Sequence, residues 1–446
     1  MKLVLFGGGG IRTPLFVRSM ISRMIHGGPE ISELFLYDVN PDRLKLMTSI
    51  ARWMVTHSGL KLKVSAFINP QEAASDVQIA VVSIRPGFEK ARIIDEKTAL
   101  GLGLIGQETV GAGGFAMACR SITEVLQIAE LLDKYSKKCL LINFTNPSGI
   151  VTQALRNAGY TNAFGICDSS DVPIREAAAF LGIPLQRLRA QVFGLNHMSA
   201  AYSIKDDDRE ILQSLLGSDR FMEKHMGIFD KEILRKLHIL PNEYLFYYLH
   251  PDRALAGMLA EKKTRGESVA EASAAFFSQA KAEDPEGAVN FHSKLIEKRV
   301  STYMNYAWEG HDKPPIIEID EGYAGVALNL MQGLTSEKPI QMILNIPVHT
   351  APGVKPDDVV ETSCEVSKNG IIPLDAQNLK IPEKLLHLII QVKQFERLTC
   401  QAVVERNREK AIEALSCHPL IGKGKAVTLL EDYAKAHGGI LREIAG

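Results

Sequence analysis

The chain has 446 residues, 46% hydrophobic and 23% charged, with a net charge of −1 at pH 7. This is the profile of a globular protein of two or three domains, with no electrostatic case for nucleic acid or an anionic membrane surface. The six cysteines (Cys119, Cys139, Cys167, Cys364, Cys400 and Cys417) show no paired spacing, and no apolar run approaches the ~20 residues of a membrane helix. The expectation is a reduced, cytoplasmic protein, since the opening apolar run is too short and too soon interrupted by glycine for a signal peptide.

Lys2-Leu3-Val4-Leu5-Phe6 reads as a buried strand and is followed by Gly7-Gly8-Gly9-Gly10. A helix comes next, with Pro14 in its first turn and apolar residues at Ile11, Leu15, Met20 and Met24; Gly27-Gly28-Pro29 ends it. The second strand, Leu34-Phe35-Leu36-Tyr37-Asp38, finishes on an acid. Glycines admit a pyrophosphate to the backbone, the helix N-terminus favours its charge, and a strand-end acid can hold a ribose diol. The order predicts a dinucleotide site at Gly7, Gly8, Gly9, Gly10, Ile11, Arg12, Asp38 and Arg43, with NAD preferred because Asp38 would repel a 2′-phosphate. The alternative is a tight turn, since Arg12 stands where the usual fingerprint has its third glycine.

A further buried strand, Val77–Ile84, ends at Arg85-Pro86-Gly87, placing Arg85 and Arg92 where a guanidinium fork suits an anion. The polar loop Gly106-Gln107-Glu108-Thr109-Val110-Gly111-Ala112-Gly113-Gly114 reads as a binding loop, and a helix is predicted over 115–136. Three strand ends then follow in succession: Leu140–Pro147, Ala163–Asp168 and Gln191–His197. If these strands are parallel and joined by helices, Cys167 and His197 can meet beyond the sheet and hold one divalent transition metal. Cys167 reads equally as a buried small hydrophobe, and His197 as a satisfied strand-end histidine.

After His197 the pattern changes. Lys205–Arg209 reads as a hairpin turn or loop, and 210–305 is mostly helical with a break at Leu240-Pro241-Asn242. Glu243-Tyr244-Leu245-Phe246-Tyr247-Tyr248 is either an aromatic core face or the source of a phenolic base, which would need nearby positive charge. Strand-like runs occur at Ile316–Ile319 and Gln341–Ile346, around a helical stretch at 321–333, and helices close the chain over 383–445.

The glycine run with Thr13-Pro14, Arg85…Arg92…Asp95-Glu96, Gly106-Gln107-Glu108-Thr109 with Gly113-Gly114, and Thr145-Asn146-Pro147 form a familiar series. It continues with Gly165-Ile166-Cys167, Gly194-Leu195-Asn196-His197, Tyr244–Tyr248, Asn345-Ile346-Pro347 and His418-Pro419-Leu420. The chain resembles glycoside hydrolase family four, the NAD- and manganese-dependent glycosidases, most closely its 6-phospho-β-glucosidase branch. The resemblance implies a Rossmann-like NAD-binding domain over 1–196 and an α+β substrate and oligomerisation domain over 197–446, similar to lactate/malate dehydrogenase-type folds. It also implies a homodimer or homotetramer acting on a small anionic glucoside, and a redox route outside two-carboxylate hydrolysis. That route is oxidation at C3 by NAD+, deprotonation at C2, elimination, water addition and re-reduction.

The residue roles come with the resemblance. Cys167 and His197 match the ligands of Mn2+ or another divalent metal, and Tyr244 the base, with Tyr247 and Tyr248 as alternatives. Asn146 would contact cofactor and sugar, while Arg92, Glu108 and Asn196 would contact the substrate. Asp168 stands where the β-acting branch carries asparagine and the α-acting branch its general acid, so the anomer is open. The rivals are an NAD-dependent 2-hydroxy-acid dehydrogenase, which would need neither Cys167 with His197 nor Tyr244, and a non-catalytic NAD- or sugar-sensing protein.

Overall fold

The first half of the chain builds six parallel strands: β1 (Lys2–Phe6), β2 (Glu33–Tyr37), β3 (Lys63–Phe67), β4 (Ile79–Val82), β5 (Leu140–Asn143) and β6 (Ala163–Gly165). The computed structural model describes residues 1–308, 310–311, 313 and 322–446. The expected strand at Ile316–Ile319 lies outside them. Leu3, Val4, Leu5, Phe6 and Ile79–Val82 are buried on both faces of the sheet, which is why these runs are continuously apolar instead of alternating. The six pair in the order 3-2-1-4-5-6, so the sheet changes winding direction between β1 and β4. Ligands of open α/β sheets bind outside such a switch point, where Gly7–Gly10 and Ser83–Arg85 leave the sheet.

The sheet does not stop at β6. It continues through β7 (Leu188–Leu195), β8 (Met198–Asp206), β9 (Arg209–Glu210), β10 (Leu240–Pro241), β11 (Ile340–Val348), β12 (Asp358–Ser367) and β13 (Gly370–Pro373), in the order β6-β11-β12-β7-β8-β10. β9 pairs with β8 and β13 with β12, and all these pairings are antiparallel.

This corrects the expectation of three successive parallel strand ends. β7 follows β6 in sequence, but β11 and β12 lie between them, and β7 runs the opposite way. What brings the ends level is register: Gly165 pairs with Asn345, Asn345 with Glu361, and Glu361 with Gly194. Just past that row, Leu195 pairs with Met198 and the chain reverses through Asn196-His197, with His197 at φ 62°. A two-residue hairpin loop calls for positive φ, and this one gives it to a histidine instead of glycine or asparagine.

The helix expected at 115–136 runs from Gly111 to Tyr135. It starts four residues early because glycine lets the preceding loop fold back on its first turn. A Cβ on Gly113 would stand 2.2 Å from the Gln107 carbonyl oxygen, and one on Gly114 2.7 Å from that of Thr109. Helices Ser148–Asn157 and Glu383–Glu405 pack against this one and against each other, so the C-terminal helices sit on the first half of the chain. Among the described residues no helix is long and apolar enough to cross a membrane.

Within Glu383–Glu405, Lys393 is fully buried and donates to the Val359 carbonyl (2.8 Å) and the Glu396 carboxylate (2.7 Å). Removing one member of a buried pair strands the other charge in a poorly solvating interior. Lys393→Met is expected to cost about 3–5 kcal/mol in denaturant unfolding, and the double variant Lys393→Met/Glu396→Leu to recover most of it.

Candidate active site

The glycine loop is a cradle made by crowding. A Cβ on Gly7 (φ +94°) would lie 2.3 Å from the Ser83 carbonyl oxygen, on Gly8 2.8 Å from the Leu36 Cβ, and on Gly9 2.8 Å from the Asp38 carboxyl carbon. Helix Thr13–Ile25 begins after Arg12 without a side-chain cap or an acid in its first turn, so its amide end is open to an anion. Asp38 accepts from the Gly9 amide (3.0 Å) and the Asn40 amide (2.9 Å), and burial raises its pKa. Close backbone, open helix end and strand-end acid suit a dinucleotide. Arg43 turns elsewhere: it pairs with Glu89 (3.4 Å) and lies over the rings of Phe88 and Phe277.

The second corner holds a thiol, an imidazole and a phenol. The His197 ring stacks on Tyr244, with centroids 3.9 Å apart and planes within 7°. Ser169 accepts from Asn242 Nδ2 (3.1 Å), which leaves its hydroxyl hydrogen for Cys167 Sγ (3.1 Å). Asn242 Oδ1 accepts in turn from the Tyr244 amide (3.0 Å), so the Cys167 turn and the tyrosine are clamped together. Burial lowers the His197 pKa from 6.5 to about 4, partly opposed by Asp168 and Glu108, so the ring is neutral at physiological pH. Burial, then Glu243 and Cys167, push the Tyr244 phenol well above its ordinary range, and burial likewise raises the Cys167 thiol. A cation between them would reverse both shifts. Among the described residues no three His, Cys, Asp or Glu side chains converge on one metal position; the thiol and imidazole are a two-donor set suited to a transition metal.

Glu361, absent from the sequence-based candidates, organises this corner. It is fully buried and accepts from Ser199 (2.6 Å), Asn196 Nδ2 (3.0 Å) and Asn345 Nδ2 (3.1 Å). Its signal was an acid inside the apolar run Val359-Val360-Glu361. Asn196, expected on the substrate, has its side chain engaged within the protein: Nδ2 donates to Glu361 and Oδ1 accepts from the Gly149 amide (3.4 Å).

The arginines are also redistributed. Glu108 is shared by Arg85 and Arg92 (2.8 Å to the latter), and these charges hold its carboxyl far below the usual range despite burial. Arg92 is further paired with Glu96 (2.7 Å). Glu108 and Arg92, both expected on substrate, are thus bound to each other. Arg299 has no ion pair among the described residues; burial and the charges of Arg12, Arg92, Arg85 and Arg265 lower its pKa well below normal. Arg265 donates to Thr302 (2.9 Å) and lies over the Tyr303 ring. Arg265 and Arg299, in a helical region that offered only periodicity, were not singled out in sequence. Both line a cavity of about 720 Å³ with Lys263, Arg92, Gln107 and Tyr303. This cavity adjoins the Tyr244 corner without including Cys167, His197 or Tyr244 in its walls.

The remaining candidates separate clearly. Asp168 meets Arg12 (3.1 Å). Asn146 follows β5 and stands half-buried in a cis Asn146–Pro147 unit, with no side-chain hydrogen bond among the described residues. Tyr247 is paired with Tyr306 (3.0 Å), and Tyr248 with buried His418 (3.5 Å); of the three tyrosines only Tyr244 lies against His197.

Sheet order, glycine cradle and the thiol–imidazole–phenol corner define a Rossmann-type α/β enzyme with its reactive groups gathered beyond the strand ends. The family is given by the sequence as a whole: the pattern described as "Family 4 glycosyl hydrolase" matches residues 2–181, and that of the "Family 4 glycosyl hydrolase C-terminal domain" matches 192–421. The chain belongs to the family 4 glycosyl hydrolases. It is 27% identical to a probable 6-phospho-beta-glucosidase of Bacillus subtilis over 99% of this chain and 97% of that one. It is also 27% identical to a maltose-6′-phosphate glucosidase of the same organism, over 98% and 95%. A 6-phospho-beta glucosidase structure from Thermotoga maritima with NAD and glucose-6-phosphate superposes at a TM-score of 0.83, with 26% identity and 98% of each chain covered. Malate dehydrogenase from Plasmodium falciparum, at 11% identity, 93% and 99% coverage and a TM-score of 0.50, shares the fold alone. The expected family and fold are borne out.

Glu243, beside Tyr244, is raised from 4.5 to about 7 by burial and then by Asp168. The folded chain therefore holds this proton more tightly than the unfolded one. Its stabilising contribution is complete below about pH 4.5 and is lost as pH rises towards 7. Glu243→Gln should flatten that part of the stability curve, unfolding at a higher temperature than the native chain at pH 8 and at the same temperature at pH 4. Thermal melts of both proteins across this range check it.

Proposed function

We propose that this protein hydrolyses a 6-phosphorylated glucoside with the help of NAD and a divalent metal such as Mn2+. The observation that carries the reading is the stack of Tyr244 on His197 with Cys167 clamped to the same corner. A phenol raised by burial becomes a base only beside a cation, and a thiol with a neutral imidazole is what would hold one. Relatives with this activity in their names, and a Thermotoga maritima structure holding manganese, NAD+ and glucose-6-phosphate, support it. When bound, NAD supplies a reversible hydride acceptor and the metal a Lewis acid for the sugar oxygens.

This chain's own residues do the rest. Gly7, Gly8, Gly9 and the open end of helix Thr13–Ile25 receive the dinucleotide, with Asp38 at a ribose. Arg299 and Arg265 take the sugar phosphate, whose charge satisfies a cluster that Glu108 and Glu96 leave with an excess of positive charge. Asn146 orients sugar hydroxyls. The Tyr244 oxygen removes the proton at C2, and Asp168, guided by Arg12, handles the proton at the glycosidic oxygen. An acid at that point favours poor leaving groups, so we infer activity on α-linked as well as β-linked substrates.

We infer two functional units, 1–196 for the cofactor and 197–446 for substrate and assembly, working as a homodimer or homotetramer. The six free cysteines support a reducing, cytoplasmic setting.

The deciding assay follows aglycone release from aryl α- and β-glucosides, with and without a 6-phosphate. Release should require the phosphate, NAD+ and Mn2+ together, stop with EDTA and leave no accumulated NADH; stoichiometric NADH would indicate a dehydrogenase. Tyr244→Phe should lower kcat on the order of 10²–10⁴-fold, and Arg299→Met should raise KM for the phosphorylated substrate by roughly 10–100-fold. Asp168→Asn should slow alkyl glucosides far more than nitrophenyl glucosides, because only the former need a proton donor on the leaving group.

A further inference from the structure

We propose that Thr109 and Gln107 form a relay that fixes His197 as its Nδ1–H tautomer, leaving Nε2 as the lone-pair donor for the metal. The available protons decide the tautomer. Gln107 Oε1 lies 2.5 Å from the Thr109 amide and 2.7 Å from the Val110 amide. Two main-chain donors identify that atom as the carbonyl oxygen, an acceptor only. The Thr109 hydroxyl stands 2.9 Å from the same oxygen, so its single hydrogen points there. Its lone pairs then face His197 Nδ1 at 2.8 Å, and that nitrogen carries the proton. Among the described residues Nε2 has no hydrogen-bond partner.

The anchoring is buried. Thr109, Gln107 and His197 are buried, and the two amides bonded to Gln107 immediately precede helix Gly111–Tyr135. Gly113 lets the Gln107 carbonyl lie against that helix, which seats the relay on the longest helix of the fold. A ligating histidine is oriented by whatever its second nitrogen bonds, and loss of such a partner commonly costs 10–100-fold in metal affinity. Thr109 is a positioning residue, acting only through His197.

The inference rests on the reading of His197 as a metal ligand, and two measurements separate the two. Long-range ¹H–¹⁵N correlation on metal-free, histidine-labelled protein, assigned with His197→Gln, reports the tautomer without reference to metal or activity. The native chain should give the Nδ1–H pattern, and isosteric Thr109→Val should lose it. An Nε2–H or charged ring in the native chain would overturn the relay. Manganese titration followed by electron paramagnetic resonance then reads affinity: Thr109→Val should bind Mn2+ 10–100-fold more weakly and Thr109→Ser as tightly as the native chain. Equal affinity in Thr109→Val would overturn the positioning role. A native chain with the Nδ1–H tautomer but no Mn2+ binding would sink the ligand reading and leave the relay standing.

Discussion

One register holds the site together: Gly165, Asn345, Glu361 and Gly194 pair across four strands. A slip of one residue in any of these pairings would send Asn345 or Glu361 to the opposite face of the sheet. Glu361 would then lose Ser199, Asn196 and Asn345, and the Asn196-His197 turn would lose its anchor. A buried carboxylate without a cation is costly unless hydrogen bonds replace its water, and here three amide and hydroxyl donors do so. The same interaction that makes Glu361 tolerable fixes where His197 stands relative to Cys167.

Electrostatics divides the site into two unfinished halves. On one side the Tyr244 phenol and the Cys167 thiol are pushed towards their protonated forms by burial, a state that a cation would undo. On the other, Arg299 sits among like charges with its own charge disfavoured, a state that an anion would undo. Glu108 pairs with Arg85 and Arg92, while Arg299 and Arg265 have no carboxylate partner among the described residues. In the function we propose, a phosphorylated sugar that also ligates a metal would complete both halves at once and tie substrate binding to activation of the base.

The two halves of the chain are also joined at the cofactor end. His292 on helix Pro285–Ser301 bonds to the Ile11 carbonyl of the glycine loop (2.6 Å), and burial keeps its ring neutral, with a pKa lowered to about 4. Arg12, one residue on, bridges to Asp168. The loop that would hold the dinucleotide therefore touches the helices bearing Arg299 and the turn bearing Cys167. The proposed cofactor, phosphate and metal positions are thus linked by direct contacts.

The sequence by itself determined the Rossmann half, the glycine cradle, Asp38 and the phrases bearing Cys167, His197 and Tyr244. These are local: apolar runs of strand length, glycines where a Cβ has no room, and reactive residues at strand ends all leave marks within a few positions. Only the tertiary structure decided which polar groups face a ligand and which face each other. Arg92, Glu108 and Asn196 read as substrate contacts and are engaged with protein partners, while Arg299 carried no local signal, and neither the acid at Glu361 nor the loop bearing Thr109 revealed which side chain it would meet. Strand order decided it too, since β11 and β12 enter between β6 and β7 from nearly two hundred residues away. Pairing of buried charges depends on which side chains meet after long-range register is set, and periodicity does not encode that.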